Sequence, residues 1–498
     1  MQMTGIKDAP TVDEHIDHAG VGWYQFRLFF ILALLVMADG MEMTVISMLR
    51  KPLSEEWGLG EMTFAAIGST IFAGLLTGNL CGGILADIFG RRNTLLGMAV
   101  LFCIFGSLSA VATDIISFSV ARFFTGVGVG SMIPVADALL LEWSPTRWRA
   151  RFAMTLIGVA FAFGTFFACV VGIVVHESMP GDQLWWRYML FICIVPGLIS
   201  LPLMFLFIPE SPHYLFVHDR KEEIKALLTT LNEVNGTEMQ AGGEVCHSHD
   251  PAISEDNDNT WRFLEMFGSD LLGSTLYLTI AFTSCGFIYY GHIFIYPVML
   301  EQLFNLELKE AYEAVMINSG VECLVIFANI FYMDSSYIGR RGAMITGFFL
   351  VSVCCLFASV ETTQIHYFMA LNAVARAMVA GPFTVIYIYS GELFPSTLRA
   401  SSIAFSNSFG RIAAMLSPLI ATSAIHAGVN AVYYIFSLVA LSAMLASVLH
   451  TRETLGMPLL LYTSDVRLLR EEDEKRPLLT RYVPAMAYWR DTQTSSSA

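Results

Sequence analysis

The sequence predicts an all-α membrane protein of twelve transmembrane helices, built as two six-helix bundles related by pseudo-symmetry. Three observations carry that expectation. The first is composition: of 498 residues, 55% are hydrophobic and only 14% are charged. Mean hydropathy is +0.59, and a soluble domain carries about 25% charged residues, so this chain cannot clothe a water-facing surface of its size. The second is spacing. Apolar runs of the ~20 residues that a bilayer-crossing helix needs recur with short polar breaks. The third is repetition, since two arginine-bearing motifs recur at matching places in the two halves.

Taken in order, a polar tail (1–22) precedes spans expected near 25–47, 62–86, 94–113, 116–141, 151–175 and 188–208. Together they form a first bundle, 23–208. A polar linker, 209–270, leads to spans near 271–299, 311–333, 342–360, 365–390, 400–425 and 430–450, the second bundle being 271–450. A polar tail, 451–498, closes the chain.

The formal net charge is −15, but the acids gather in solvated segments: Asp8, Asp13, Glu14 and Asp17 in the first tail, then 233–258 and 471–474. There is no basic face for nucleic acid, which excludes that class of partner. Most cysteines stand singly in apolar runs (Cys81, Cys103, Cys169, Cys193, Cys285, Cys323) and read as buried free thiols. Cys246 with His247 and His249 reads as chance spacing in an acidic loop rather than a metal site. With no phosphate loop, paired catalytic set or metal-spaced cluster in the sequence, neither enzyme activity, a metal nor a cofactor is expected. The first ~20 residues are polar, so a cleavable signal peptide is not expected and the first apolar run doubles as the insertion signal.

Lys and Arg near span ends set orientation. With the N-terminus in the cytosol, the inner loops hold Arg91, Arg92, Arg147, Arg149, Arg151, Arg220, Lys221, Lys225, Arg340, Arg341 and Arg399. The outer loops hold only Arg50, Lys51, Arg187 and Lys309. Both tails and the linker are therefore expected in the cytosol, where Asn235-Gly236-Thr237, although it fits the glycosylation pattern, stays bare. Glu474-Lys475-Arg476-Pro477-Leu478-Leu479 fits an acidic dileucine sorting signal. The expected location is the plasma membrane or an endosomal, lysosomal or vesicle membrane.

The repeated motifs lie at the inner ends of the spans. Gly82-Gly83-Ile84-Leu85-Ala86-Asp87-Ile88-Phe89-Gly90-Arg91-Arg92 follows the second span, and Gly339-Arg340-Arg341 follows the eighth. Glu142 to Arg147 ends the fourth span, and Glu392 to Arg399 ends the tenth. Gly78, Gly82 and Gly83 permit close helix approach, and Asp87 is able to pair with arginine or cap a helix. Asp87, Gly90, Arg91, Arg92, Glu142, Arg147, Arg340, Arg341, Glu392 and Arg399 are expected to latch the two halves together on the inside. In the second copy Ser336 stands where the aspartate belongs, with Asp334 two residues earlier.

Charges inside the spans are the sharpest functional signal, because an intramembrane charge is costly unless paired or wet. Asp39 and Glu42 are three apart in the first span and share a face, expected to be a central cavity, where an acid either exchanges a proton during transport or stays ionised in a structural pair with arginine. Arg122 lies near one end of a fourth span flattened by Gly126, Gly128 and Gly130. It is either paired or wet inside the membrane, or an interfacial anchor that snorkels. Asp137, Glu322, Arg376 and Arg411 are read as lining a substrate cavity or as pairing with one another. The seventh span adds Tyr289, Tyr290 and His292, whose rings suit a planar organic solute.

Together these residues resemble the major facilitator superfamily over roughly 20–455. Trp23-Tyr24-Gln25-Phe26, followed by Met37 to Glu42, is similar to the synaptic-vesicle-two and related-protein group. Pro209-Glu210-Ser211-Pro212 and Glu453-Thr454-Leu455-Gly456 resemble motifs of the superfamily's sugar and organic-ion branch. The loops at 48–61 and 300–311 are too short for the large outer domains of the organic-ion transporters and the vesicle glycoproteins. Sugar porters bind hydroxyls with glutamines in helices 5 and 7, and neither expected span has one, so a hexose is disfavoured. In proton-coupled sugar porters the helix 1 acid pairs with the arginine that opens the helix 4 glycine motif, which matches Glu42 and Arg122. The resemblance implies a monomeric secondary transporter whose partners are a small organic solute, a proton and the bilayer. The alternatives are a facilitative sugar or metabolite uniporter, and a transporter-like vesicle regulator.

Overall fold

The computed structural model describes residues 12–179, 183–237, 262–333, 335, 337–360 and 364–454. Asp334, Ser336, the Cys246–His249 stretch and the dileucine pattern lie outside them.

Among the described residues twelve helices are long and apolar enough to cross a membrane. The first six are α1 (Trp23–Met48), α2 (Glu61–Phe89), α3 (Arg91–Ala110), α4 (Ile115–Glu142), α5 (Arg151–Ser178) and α6 (Trp185–Phe207). The second six are α7 (Leu272–Phe304), α8 (Leu308–Tyr332), α9 (Gly339–Val360), α10 (Ile365–Leu393), α11 (Ser396–Ala427) and α12 (Val429–Leu449). Several ends differ from the expected spans, for local reasons. Only Gly90 separates α2 from α3. Its φ of +91° breaks the helix in a conformation that suits glycine, so α3 begins at Arg91 rather than at 94. Pro395, with its φ of −61°, precedes the first turn of α11 and starts it at Ser396. Helix α7 runs on past Pro297 to Phe304, where Asn305 turns into the left-handed region.

Two faces of glycine hold α2 against α4. A Cβ at Gly74 would lie 2.1 Å from the Phe123 carbonyl, and one at Gly78 equally close to that of Val127. From the other side, Gly126 and Gly130 meet the carbonyls of Ile71 and Leu75 at 2.3 and 2.2 Å. Helix backbones in this contact pack without side chains between them, the arrangement small residues allow in membranes. Gly83, on the open face, has nothing within 4 Å. Helices α1 and α5 meet the same way at Gly40 and Gly164. The halves abut mainly through α2 with α11 and α5 with α8. Helix α5 carries a π-helical turn, Thr155–Ala160, on this boundary. Gly158 in that turn faces Ile326 and Thr384 of the other half.

Two short helices, Val12–Ala19 and Lys221–Asn235, dock on the arginine-rich end of the first half. Asn235 accepts from the Tyr24 backbone N–H at 3.1 Å and donates to the Gln25 side chain at 3.0 Å. Its amide is thus engaged in starting α1.

Gly78→Val is expected to destabilise the protein by about 1–3 kcal/mol or more, because the added atoms meet a backbone that must move. Gly83→Ala is expected to be neutral or to gain up to about 1 kcal/mol of helix propensity. Thermal unfolding of the detergent-purified variants tests both, and equal melting temperatures for the pair would contradict the packing assigned here.

Candidate functional site: buried charge pairs around a central chamber

In the first half, Glu42 of α1 and Arg122 of α4 form an ion pair, and both side chains have 0% exposure. The Arg122 guanidinium also lies over the Phe118 ring, 5.2 Å from its centroid. Arg122 sits about two turns inside α4 and does not snorkel, because a carboxylate is available at its own depth. Asp39, one turn earlier on α1, is buried and neither of its oxygens has a hydrogen-bond partner.

In the second half, Arg376 Nε of α10 meets Glu322 Oε2 of α8 at 2.9 Å, again buried on both sides. Tyr289 of α7 donates its hydroxyl to the other Glu322 oxygen at 2.5 Å. The two pairs are not strict copies. With Glu142 aligned to Glu392, Arg122 falls opposite Asn372 and Arg376 opposite Gly126. The second arginine is therefore displaced one helical turn, roughly 6 Å, toward the arginine-rich end.

Between the halves lies a narrow cavity, lined by Ile133 of α4, Ile157, Gly158 and Phe161 of α5, Tyr289 and Tyr290 of α7, Glu322 and Ile326 of α8, Ala380, Phe383, Thr384 and Tyr387 of α10, and Arg411 of α11. Arg411 donates to the Tyr290 hydroxyl at 2.9 Å. Phe161, Tyr289, Tyr290 and Phe383 form a run of ring contacts with centroids 5.4–6.1 Å apart. Three residues expected at the cavity are not among its lining residues: His292, Asp137 and Arg376, the last of which is drawn onto Glu322. His292 is packed inside the second half, 4.8 Å from the Phe436 ring, and hydrogen-bonds the Ile288 carbonyl. It faces α12 because α7 turns that side away from the chamber. Asp137 is half-buried on α4, beyond the lining residues.

The arginine-rich end carries a duplicated network. In the first half the Arg92 backbone N–H donates to Glu210 at 3.0 Å, and Arg91 pairs with Asp87 at 3.2 Å and Glu142 at 3.6 Å. In the second, the backbone N–H groups of Arg340 and Arg341 donate to Glu453 at 2.9 and 3.0 Å, and Arg340 pairs with Glu392 at 3.4 Å. Glu210 and Glu453 thus cap the positive ends of α3 and α9. Each of these contacts stays within one half. The latch expected to join the halves instead ties the helix ends of each bundle, because α3 and α9 start beside the last helix of their own bundle. Arg147 is exposed, and Arg149, two residues on, is the engaged one, pairing with Asp13 at 2.6 Å. The Arg399 side chain lies outside the described residues. Glu210 and Glu453 stand in the Pro209–Pro212 and Glu453–Gly456 motifs and Arg149 among the inner-loop arginines, but the contacts they make depend on packing that sequence spacing does not show.

Contacts between the halves close the opposite end. Arg50 joins Glu61 of α2 to Glu301 of α7, 3.0 Å from each. Tyr312 of α8 donates to the Met48 carbonyl at 2.7 Å, Lys309 pairs with Glu177, and Phe64 stacks on Phe294 with centroids 5.2 Å apart. Gln302, brought into α7 by its extra length, donates to Glu61 at 2.7 Å at this same end. It stands apart from the chamber, so α7 still offers no glutamine there.

Twelve spans in two bundles, with a chamber on their boundary, are the architecture of a membrane transporter of the major facilitator superfamily. The chain belongs to the sugar (and other) transporter family, whose profile matches residues 30–465. It is 28% identical to the synaptic vesicle 2-related protein of Bos taurus over 468 residues, covering 90% of this chain and 82% of the relative. It is 27% identical to the organic cation/carnitine transporter 7 of Arabidopsis thaliana, covering 84% and 89%. Among solved structures, the inward open conformation of the xylose transporter XylE from E. coli superposes with a TM-score of 0.69 at 18% identity, covering 89% of this chain and 99% of that one. The family and fold are those of membrane transporters, not of enzymes.

Two outcomes follow from the second half. Glu322→Ala leaves Arg376 buried and unpaired, which is expected to cost about 3–5 kcal/mol, while Glu322→Leu with Arg376→Met recovers most of it. A double variant as unstable as the single one, by thermal melting, would contradict this. The second outcome concerns His450, just past α12, which stacks on Tyr277 at 4.6 Å and contacts Ser274 at 3.1 Å. Burial, then the charges of Arg452 and Arg341, push its imidazole from 6.5 down to about 3. Between those values the unfolded chain binds the extra proton, so this group's contribution is whole above 6.5 and lost as pH falls toward 3. The melting temperature of His450→Gln, relative to the parent, is therefore expected to rise on acidification; a constant difference would argue against it.

Proposed function

We propose that the protein moves a small organic solute, an organic ion or an aromatic or carboxylate-like molecule, together with a proton by alternating access. The observation that supports this most directly is the wholly buried Glu42–Arg122 pair. A proton on Glu42 removes the carboxylate's charge and leaves a guanidinium that cannot stay uncompensated in a low-dielectric interior. Protonation therefore favours a different helix arrangement, and a ligand shifts a carrier only by such differential affinity. Asp39 is the second acid available to this coupling. The aromatic lining favours a solute with a planar face, and the plant relative's name agrees with an organic solute. On this reading the arginine-rich end, with both tails and the linker, faces the cytosol, and the opposite end is the closed gate. The contacts of α2 with α11 and of α5 with α8 provide the surfaces on which the two bundles rock.

The test uses purified protein in liposomes and a solute found by thermal-shift screening of organic acids, amines, nucleobases and sugars. For one proton per solute, each unit of pH gradient drives about tenfold accumulation. Glu42→Gln is expected to abolish that accumulation and to retain solute exchange. Accumulation by the variant equal to the parent's would remove Glu42 from the coupling.

A further inference from the structure

Among the described residues, the membrane interior holds three fully buried arginines, Arg122, Arg376 and Arg411, and three fully buried carboxylates, Asp39, Glu42 and Glu322. Two of each are closed into ion pairs. The remaining two are left open. Arg411 gives one N–H to the neutral Tyr290 hydroxyl, and its Nε has no acceptor. Asp39 has no donor to either oxygen, and Arg411, across the boundary, is the cation that acts on it most strongly. The other groups around Asp39 are accounted for. Its own helix offers Glu42, which is held by Arg122 of α4. Helix α7 offers Tyr290, whose hydroxyl accepts from Arg411. Helix α5 meets the neighbouring Gly40 with the backbone of Phe161 and Gly164, and beside Arg411 helix α10 offers Tyr387, whose hydroxyl donates to Asn407. A guanidinium and a carboxylate, each buried and each unsatisfied, form an incomplete pair spanning the two halves.

Arg411 lines the chamber and Asp39 does not. Only the cation is therefore in a position to touch a solute, and it stands beside the Tyr290 ring in the aromatic run. We propose that Arg411 binds the carboxylate of an aromatic monocarboxylic acid, and that Asp39 is the proton-accepting group that competes with this carboxylate for Arg411. With Asp39 ionised, the field of Arg411 is already balanced and an incoming anion adds an uncompensated charge. With Asp39 protonated, Arg411 is the one unbalanced charge among the described residues that line the chamber, and an anion neutralises it. Solute anion and proton then enter together with no net charge left in the membrane. This assignment rests on the reading that the chamber carries the solute, and not on which acid drives accumulation.

The experiment is equilibrium binding of benzoate to the purified full-length protein, with benzylamine and benzyl alcohol as the cationic and neutral probes of the same size. Benzoate, ionised throughout, is expected to bind about tenfold or more tightly at about pH 5.5 than at about pH 7.5, in the range of ordinary coupling energies. Asp39→Asn is expected to bind with the tighter affinity at both. Arg411→Gln is expected to lose benzoate, and Arg411→Lys to keep it with weaker affinity. Benzylamine bound better than benzoate, no benzoate binding at either pH, or an Asp39→Asn variant with the parent's pH dependence would each overturn the proposal. If the arginine variants do not fold, the wild-type titration of the three probes still decides. Normal accumulation by Glu42→Gln would sink the drive assignment alone, whereas a flat benzoate titration of the parent would sink this proposal alone.

Discussion

A guanidinium inside a bilayer has no water to lean on, so its position is set by where a carboxylate is placed to meet it. In this protein the meeting of Glu42 and Arg122 binds α1 to α4, and that of Glu322 and Arg376 binds α8 to α10. Such pairs are poor devices for stability. Well-packed apolar residues of similar volume would serve as well or better. What they offer is a change of state, because one proton converts a closed pair into an open one. The tertiary structure is arranged around that property. The pairs lie in helices that flank the chamber, aromatic rings lie against them, and the direct ion pairs between the halves gather at the end opposite the arginine-rich one.

The two bundles are duplicates at their ends and divergent at their centres. At the arginine-rich end, the same construction appears twice: an acidic residue after the last helix caps the helix that begins with paired arginines. These ties make each bundle rigid on its own side. At the centre the arginines have slipped by a turn relative to one another, and only the second half has a tyrosine hydroxyl on its carboxylate. A scaffold that keeps each half stiff, with unlike chemistry between the halves, allows one boundary to both bind and move.

Mobility and packing share the same residues. Glycine against backbone in α2–α4 and α1–α5 leaves few interlocked side chains within the first bundle's contacts. The π-helical turn in α5 puts a further irregularity on the boundary itself, where such turns often accompany function. At the closed end, by contrast, the joints are ion pairs, a hydroxyl-to-carbonyl bond, an amide-to-carboxylate bond and a ring stack. Each is short-ranged and can separate without disturbing a helix.

Spans, repeat and family were legible because they are one-dimensional: a bilayer demands ~20 apolar residues per helix, and duplication leaves matched motifs along the chain. The acids and arginines that matter were legible too, since an intramembrane charge stands out in any hydropathy pattern. Helix ends were less so where a single backbone angle decided them, as at Gly90. Partnership was not legible from the residues alone. Glu322 and Arg376 are far apart in sequence, and nothing in spacing says that Arg376 closes on Glu322 while Arg411 stays open. His292 and Tyr290 are two residues apart on one helix, yet one faces α12 and the other faces the chamber, a choice made by how α7 is rotated. The arginine motifs proved to bind their own bundle because α3 and α9 begin beside α6 and the segment after α12. Composition, spacing and repeated motifs determined the architecture of this chain; which charges meet was decided only when twelve helices packed, because an ion pair depends on distance through space and not along the chain.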